Sequence, residues 1–445
     1  MSDGRDPREP GPEPEPEPEP DAPAPVDLDA LNARSLTPAS RLAAYVRGGG
    51  VIVPVITALL AFALGGLVVL ITGKDPIATY EAIFRGTGLQ WFFPWVTGDD
   101  RTLAGLNLQQ TLIVTTPLIL LGLAVAFAFR AGLFNIGGQG QYVMGSIAAV
   151  WVGSSFAGMP AVLHVLLSMA AAVGAGAFWA GIVGFLKATT GANEVISSIM
   201  LNYTALYIGL YLFGLGGPLQ NARDASLPVS DDVVDGAKLP VFWGDPDLQG
   251  LHIGLFIALA ALVFFWLLLN RSTRGYEVRA VGLNPEAARY GGMSVSRNYV
   301  LVMAVCGAFA GLAGSLDVLG WQFRLATNDI QTSLLGFFGI AVALLGRNTA
   351  VGTAAAALLF GALFSGTSQR NLDPTIFEPE LAANLTYIIQ GLVVLVVSAD
   401  VLVLGLWRRG RNVLRGGRGR GSPPSGMSAG AMGTPPQPPP PGGGG

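Results

Sequence analysis

Three amides crowd into ten residues of this chain. The stretch "GLFNIGGQGQ", Gly132 to Gln141, sets Asn135, Gln139 and Gln141 among four glycines inside an otherwise apolar run. Each amide offers both a donor and an acceptor. Together they suit a neutral, polyhydroxylated or heterocyclic solute without the cost of a buried charge. Glycine permits close helix approach and unwound backbone. Such backbone is tolerated at membrane depth only where protein or a watery cavity satisfies it. Two roles fit: lining a solute route where two half-bundles meet, or packing in which the amides bond neighbouring helices.

A second polar set lies in "GANEVISSIMLNY", Gly191 to Tyr203. Glu194, Ser198 and Asn202 are spaced four apart, which on a helix makes one stripe. The stripe serves either interhelix bonding or the solute route, and a carboxylate near a membrane is a functional candidate by default. A third set, "LDVLGWQFRL", carries Asp317, Trp321, Gln322 and Arg324 near the outer end of another apolar run. Trp321 fits an interfacial anchor or a stacking platform, and Asp317 is two helical turns from a possible partner in Arg324. Asp400 lies at the inner boundary of the last apolar run.

Covalent chemistry has no such constellation. No H-E-x-x-H occurs, and the one G-x-S-x-G, Gly426 to Gly430, lies in the Gly/Pro-rich tail rather than at a strand-to-helix turn. His164 and His252 stand near the ends of apolar runs, where interface positions are expected, and no Cys/His/Asp cluster has ligand spacing, so no metal site is expected. A phosphate cradle needs G-x-x-x-x-G-K-[ST]. The near match "VVLITGKD", Val68 to Asp75, lacks the first glycine and has Asp75 where the hydroxyl belongs. The "NIGGQ" at Asn135 to Gln139 shares Gly-Gly-Gln with an ATPase signature but lies between two apolar spans, so it takes no nucleotide role. The chain is expected neither to hydrolyse ATP nor to bind a cofactor of its own.

The elements that must position these residues are membrane spans. Of 445 residues 51% are hydrophobic and only 12% charged, half the charge of an ordinary soluble domain. Much of that charge sits at the ends, so the body is more apolar still. Residues 1–40 hold a Pro/Glu repeat and residues 412–445 turn to Arg, Gly and Pro; neither can bury a core, and both are expected to be disordered. The acidic head has no apolar centre and is no signal peptide. "RGGRGRG" in the tail reads as a membrane-flanking basic cluster rather than an RNA-binding segment, so no nucleic-acid partner is expected. The lone Cys306 rules out a disulfide framework.

A span needs about 20 mostly apolar residues. Ten stretches qualify within the body, 41–411: roughly 51–72, 112–129, 141–157, 161–186, 196–216, 251–270, 299–320, 330–346, 350–368 and 382–406. Those at 330–346 and 350–368 flank "GRN", Gly346 to Asn348, and read as two spans or one broken element. The fold class is therefore all-α, a polytopic membrane helical bundle of about 10 transmembrane helices with disordered tails. Lys/Arg bias sets the orientation. Arginines precede the first span and follow the last, the segment 217–250 is rich in Asp, and the segment 271–297 holds Arg271, Arg274, Arg279, Arg289 and Arg297. Both termini are then cytoplasmic and the span count even.

Within the inner loop 271–297, "NPEAARYGG" reads as a short helix: Asn284 caps, Pro285 suits the first position, Glu286 favours the positive end and Gly291 terminates. Such a helix lies under the membrane and can pass motion from a soluble partner into the bundle. An ordinary basic loop is the plainer reading.

From Gly282 to Gly292 the pattern Gly-x-Asn-x-x-Ala-Ala-x-x-x-Gly resembles the coupling helix of ABC importer permeases. "GLFNIGGQGQ", "GANEVISSIMLNY" and "GIAVALLGRN" (Gly339 to Asn348) agree in order and spacing. The four stretches together resemble the branched-chain amino acid/ribose/nucleoside permease family, closest to its nucleoside/simple-sugar subgroup, over roughly residues 50–406. The resemblance implies a transmembrane permease subunit of an ATP-driven importer in the cytoplasmic membrane, moving nucleosides or related simple sugars. It implies two cytoplasmic ABC ATPase domains that use the ATP, a second and distinct permease subunit, an extracellular substrate-binding lipoprotein and surrounding membrane lipid. Coupling falls on Glu277, Arg279, Asn284, Glu286, Ala287, Ala288, Arg289 and Gly291, and the solute route on Asn135, Gln139, Gln141, Ser198, Asn202 and Trp321. The alternative is an ion-coupled secondary transporter of a small polar solute, which typically shows ionisable residues deep within its spans; these spans offer few.

Overall fold

A computed structural model describes residues 52–71, 73–245 and 250–368, together with Ile388 and Gly391. The expected tails, the last expected span apart from Ile388 and Gly391, and Asp400 lie outside the described residues. Helix α1 spans Ile52–Ile71. Helix α2, Pro76–Thr87, starts where the Asp75 carboxylate accepts from the Ile77 N–H at 2.8 Å and Pro76 takes the first helical position. Helix α3, Gly98–Arg130, is 33 residues long. Its residues Leu118 to Ala128 are buried on every side, as expected of a helix apolar all round.

Helices α4 (Gly138–Ser154), α5 (Ala161–Thr190) and α6 (Glu194–Phe213) follow. The segment between α6 and α7, expected on the outer side and named the outer segment for that reason, then carries a short antiparallel ribbon, β1 (Val241–Trp243) with β2 (Leu251–His252). The ribbon departs from the all-α expectation. Helix α7 spans Gly254–Arg271. The loop expected on the inner side holds two helices, α8 (Thr273–Leu283) and α9 (Pro285–Tyr290). Helix α10, Val295–Asp317, runs into a π-helical segment at Val318–Gln322. Helices α11 (Thr327–Thr332), α12 (Leu335–Leu345) and α13 (Ala350–Gly366) complete the described bundle.

Six helical segments among the described residues are long and apolar enough to cross a membrane: α3, α5, α6, α7, α10 with its π segment, and α11–α12 taken together. The chain is a multi-pass membrane protein. The expected spans at 141–157 and 350–368 form α4 and α13, of 17 residues each, at the lower end of the spanning range of about 17–25 residues. Helix α4 is short because the amide-rich stretch turns before it. The element around "GRN" is two helices: Arg347 and Asn348 take positive φ values of 52° and 53° and end α12.

The tightest packing sets α5 against α10. It depends on glycine facing glycine, since a Cβ on Gly307 would lie 2.0 Å from the Gly176 carbonyl oxygen and one on Gly176 would lie 2.2 Å from that of Gly307. Membrane helices associate through such small-residue contacts. The outer segment is stitched onto the π segment and the residues after it by main-chain bonds. Leu239 N–H donates to the Leu319 carbonyl at 2.8 Å, Val233 to Phe323 at 2.7 Å, and Ser230 to Leu325 at 2.9 Å. Both histidines are buried inside protein rather than presented at an interface. His164 Nε2 lies 2.8 Å from the Val152 carbonyl oxygen, and His252 Nδ1 accepts from the Gly254 N–H at 3.1 Å.

Replacing Gly307 by valine is expected to destabilise the protein by about 3 kcal/mol, the upper range for overpacking a close-packed site. Thermal unfolding followed by gel filtration in detergent measures this. A surface change such as Val351→Ala on exposed α13 leaves the profile unchanged.

Candidate functional site

Helix α3 ends at Arg130, and Gly132 turns the chain at φ +69°. The next residues build a clamp of amides. Asn135 Oδ1 accepts from the Gly137 N–H at 3.0 Å and from Gln141 Nε2 at 2.9 Å, while Asn135 Nδ2 donates to Gln141 Oε1 at 3.0 Å. Asn202 of α6 reaches the same turn: its Oδ1 accepts from the Gly140 N–H at 2.8 Å and its Nδ2 donates to the Ile136 carbonyl at 3.0 Å. Gln139 points elsewhere, donating from Nε2 to the Ser333 carbonyl at 2.8 Å and accepting at Oε1 from the Gly336 N–H at 2.8 Å. Ser333 and Leu334 form the break between α11 and α12. Gln139 thus replaces main-chain bonds that the break has given up.

The clamp is buried: Asn135 and Gln141 are 1% exposed, Gln139 7% and Asn202 8%. Its amides bond protein on every side, so here they join the α3–α4 turn, α6 and the broken α11–α12 into one body. Ser198, also buried, donates to the Glu194 carbonyl. Glu194 pairs with Lys187 Nζ at 2.7 Å, closing the end of α5 onto the start of α6.

Trp321 stands apart from the clamp, on a cavity of about 220 Å³ between the π segment, α4 and the α11–α12 break. Tyr142, Ser146, Trp321, Gln322, Asp329, Thr332 and Ser333 supply its polar lining. Behind the wall the buried Asp317 carboxylate accepts from the Tyr142 hydroxyl and from Trp321 Nε1. Asp317 therefore pairs with these two groups and not with Arg324, which is exposed. Gln322 Oε1 and Ser333 Oγ are buried with no hydrogen-bond partner among the described residues. Sequence reasoning missed Tyr142, Asp329 and Ser333. Only the fold brings them beside Trp321, although π segments and interrupted helices mark functional sites in general.

The elbow of α8 and α9 forms as its residues direct. Ser272 caps α8 through the Gly275 N–H at 2.9 Å, and Asn284 caps α9 through the Ala287 N–H at 3.1 Å. Glu286 and Arg289 lie 3.4 Å apart across α9, and Glu277 pairs with Arg274 at 2.9 Å. Gly291 ends α9, with Gly292 at φ +80°. Ala288 buries against Val281 and Val295, whereas Leu283 and Tyr290 are 88% and 92% exposed. Arg279 Nη1 is buried without a partner among the described residues. The elbow sits directly on the start of the clamp stretch, because a Cβ on Gly282 would lie 2.5 Å from the Arg130 carbonyl oxygen and one on Gly132 2.9 Å from that of Gly282. Arg130 Nε also donates to the Asn348 carbonyl at 3.0 Å. All four quoted stretches are therefore in one contact network.

Replacing Asn135 by alanine leaves the buried Gln141 amide unpaired, at an expected cost of about 1–3 kcal/mol. Thermal unfolding in detergent reads this cost. A change confined to solute handling would leave the unfolding profile unmoved.

No solved structure matches this chain. Its sequence matches the family described as branched-chain amino acid transport system, permease component, over residues 107–398. It is 41% identical over 315 residues to a guanosine ABC transporter permease protein of Bacillus subtilis, covering 71% of this chain and 85% of the relative. It is 38% identical over 349 residues to a glucose ABC transporter permease protein of Haloferax volcanii, covering 77% and 85%. It is 35% identical over 347 residues to a nucleoside ABC transporter permease protein of Lactococcus lactis, covering 76% and 90%. With a capped elbow seated on a clamped, interrupted bundle and relatives matched over most of their length, the chain belongs to the branched-chain amino acid transport system permease family and is a membrane permease subunit of an ABC transporter, not itself an enzyme.

Proposed function

We propose that this subunit carries nucleosides, or a related simple sugar, inward across the cytoplasmic membrane, with both of its termini cytoplasmic. The chemical work is done elsewhere: two cytoplasmic ABC ATPase domains bind and hydrolyse ATP and dock on the α8–α9 elbow. Exposed Leu283 and Tyr290 give such a partner an apolar hold, and Arg279, Glu286 and Arg289 give it charge. A distinct second permease subunit completes the route, and an extracellular lipoprotein delivers solute to the outer face. The relatives named for guanosine, nucleosides and glucose support this solute class.

One observation carries the reading. The Gly282–Gly132 contact puts the elbow against the stretch whose Gln139 holds the α11–α12 break. A push on the elbow therefore reaches the break through a close-packed, hydrogen-bonded path rather than through a flexible loop. Asn135, Gln139, Gln141, Ser198 and Asn202 act in this reading as the joint that shifts between inward-open and outward-open arrangements, and Trp321 as the residue on the route.

The test is uptake by proteoliposomes holding this chain with its ATPase, permease and lipoprotein partners. Uptake of labelled guanosine or glucose is expected to require ATP and to persist when ionophores collapse ion gradients. Uptake that ionophores abolish, or that this chain supports alone, overturns the proposal in favour of ion-coupled transport. Gly282→Val, which wedges the elbow off Arg130, is expected to lower ATP-driven uptake at least about tenfold, a loss of roughly 1.4 kcal/mol in effective coupling. ATP hydrolysis by the assembled partners continues.

A further inference from the structure

The cavity beside Trp321 has a chemistry that the family does not specify. Its lining residues include no Lys, Arg or His, so a carboxylate or phosphate entering it meets no counter-charge and faces Asp329. The unsatisfied groups are an acceptor, Gln322 Oε1, and a hydroxyl, Ser333 Oγ. An orphan acceptor at membrane depth costs free energy until a donor arrives. The arriving solute must therefore bring N–H or O–H groups and no net charge. Trp321 adds a flat apolar face, and its indole is fixed because Nε1 donates to Asp317. The same carboxylate holds the Tyr142 hydroxyl, so both aromatic rings are set before any solute binds.

The backbone around the cavity is irregular in two places that face each other. One is the π segment Val318–Gln322, ended by Phe323 at φ +57°. The other is the Ser333–Leu334 break, whose carbonyl is held by Gln139. Irregular backbone within a membrane bundle belongs where it lines a cavity. Beside the cavity, the outer segment is bonded to Leu319, Phe323 and the lining residue Leu325.

We infer that this cavity is a solute subsite for the planar, N–H-bearing ring of an uncharged nucleoside. The ring stacks on Trp321, its N–H groups donate to Gln322 Oε1, and Ser333 Oγ bonds a further polar edge. Phosphorylated nucleosides and carboxylate-bearing solutes are rejected for want of a cation. The inference rests on the importer reading above and names the feature by which this chain selects a nucleobase over a plain sugar.

The test uses the reconstituted importer with guanosine, D-glucose and guanosine 5′-monophosphate as probes. Gln322→Leu is expected to lower the ratio of guanosine to glucose uptake about tenfold, the effect of one lost polar contact of roughly 1.4 kcal/mol. Ser333→Cys supplies a second readout that needs no transport. Cys306 is the only native cysteine in the sequence and is buried, so labelling by a water-soluble maleimide reports the new thiol. Guanosine is expected to slow that labelling and guanosine 5′-monophosphate to leave it unchanged. If the unaltered importer moves none of the probes, the importer reading itself fails. If it imports guanosine but guanosine gives no protection and Gln322→Leu leaves the uptake ratio unchanged, the subsite is overturned while the importer stands. Equal protection by the monophosphate overturns the exclusion of charge.

Discussion

The structure depends on satisfying polar groups where water is scarce. Each unpaired backbone or amide group in a membrane bundle costs several kcal/mol, yet this chain interrupts its helices at the α3–α4 turn, at the π segment and at the α11–α12 break. Asn135, Gln141, Asn202 and Gln139 answer two of those interruptions with bonds of 2.8–3.0 Å. The outer segment answers the third through its main chain. Without those bonds the interruptions would close up into helix or hydrate, and either outcome would remove the cavity between them.

This constraint explains why sites of different roles lie so close together. The elbow touches Gly132; seven residues later Gln139 holds the floor of the cavity; three more bring Tyr142 to its wall. A short sequence thus serves contact with the elbow, joining of helices and lining of the cavity. Glycine at 132 and 282 makes the approach possible, since any side chain there would separate the elbow from α3.

Much of this was legible in the residues. The cap at Asn284, the first-position Pro285 and the glycine stop at Gly291 announce α9, because capping is local and needs no tertiary knowledge. Apolar runs announce the long helices for the same reason. The amides of "GLFNIGGQGQ" announced an interruption, but not whether they would face solute or each other, since that depends on where α6 and α12 come to lie. The polar stripe Glu194–Ser198–Asn202 divides similarly: Asn202 joins the clamp while Glu194 pairs with Lys187. Helix α8 went unread because its amphipathic pattern is weak and its arginines suggest a loop. Of the cavity only Trp321 and Gln322 were visible. Ser333 and Asp329 sit in an unremarkable stretch and acquire meaning only when the π segment is laid opposite them.

The seam between the outer segment and the π segment is made mainly by peptide groups, which every residue but proline carries in full; Ser230, whose Oγ accepts from the Leu325 N–H at 2.9 Å, adds a side chain. The exposed side chains of that segment are therefore at liberty to change while the seam persists. Its exposed acidic residues, among them Asp231 and Asp232, can change without breaking those main-chain bonds. In the proposed importer, recognition of a delivery protein at the doorstep and selection in the chamber are then separable.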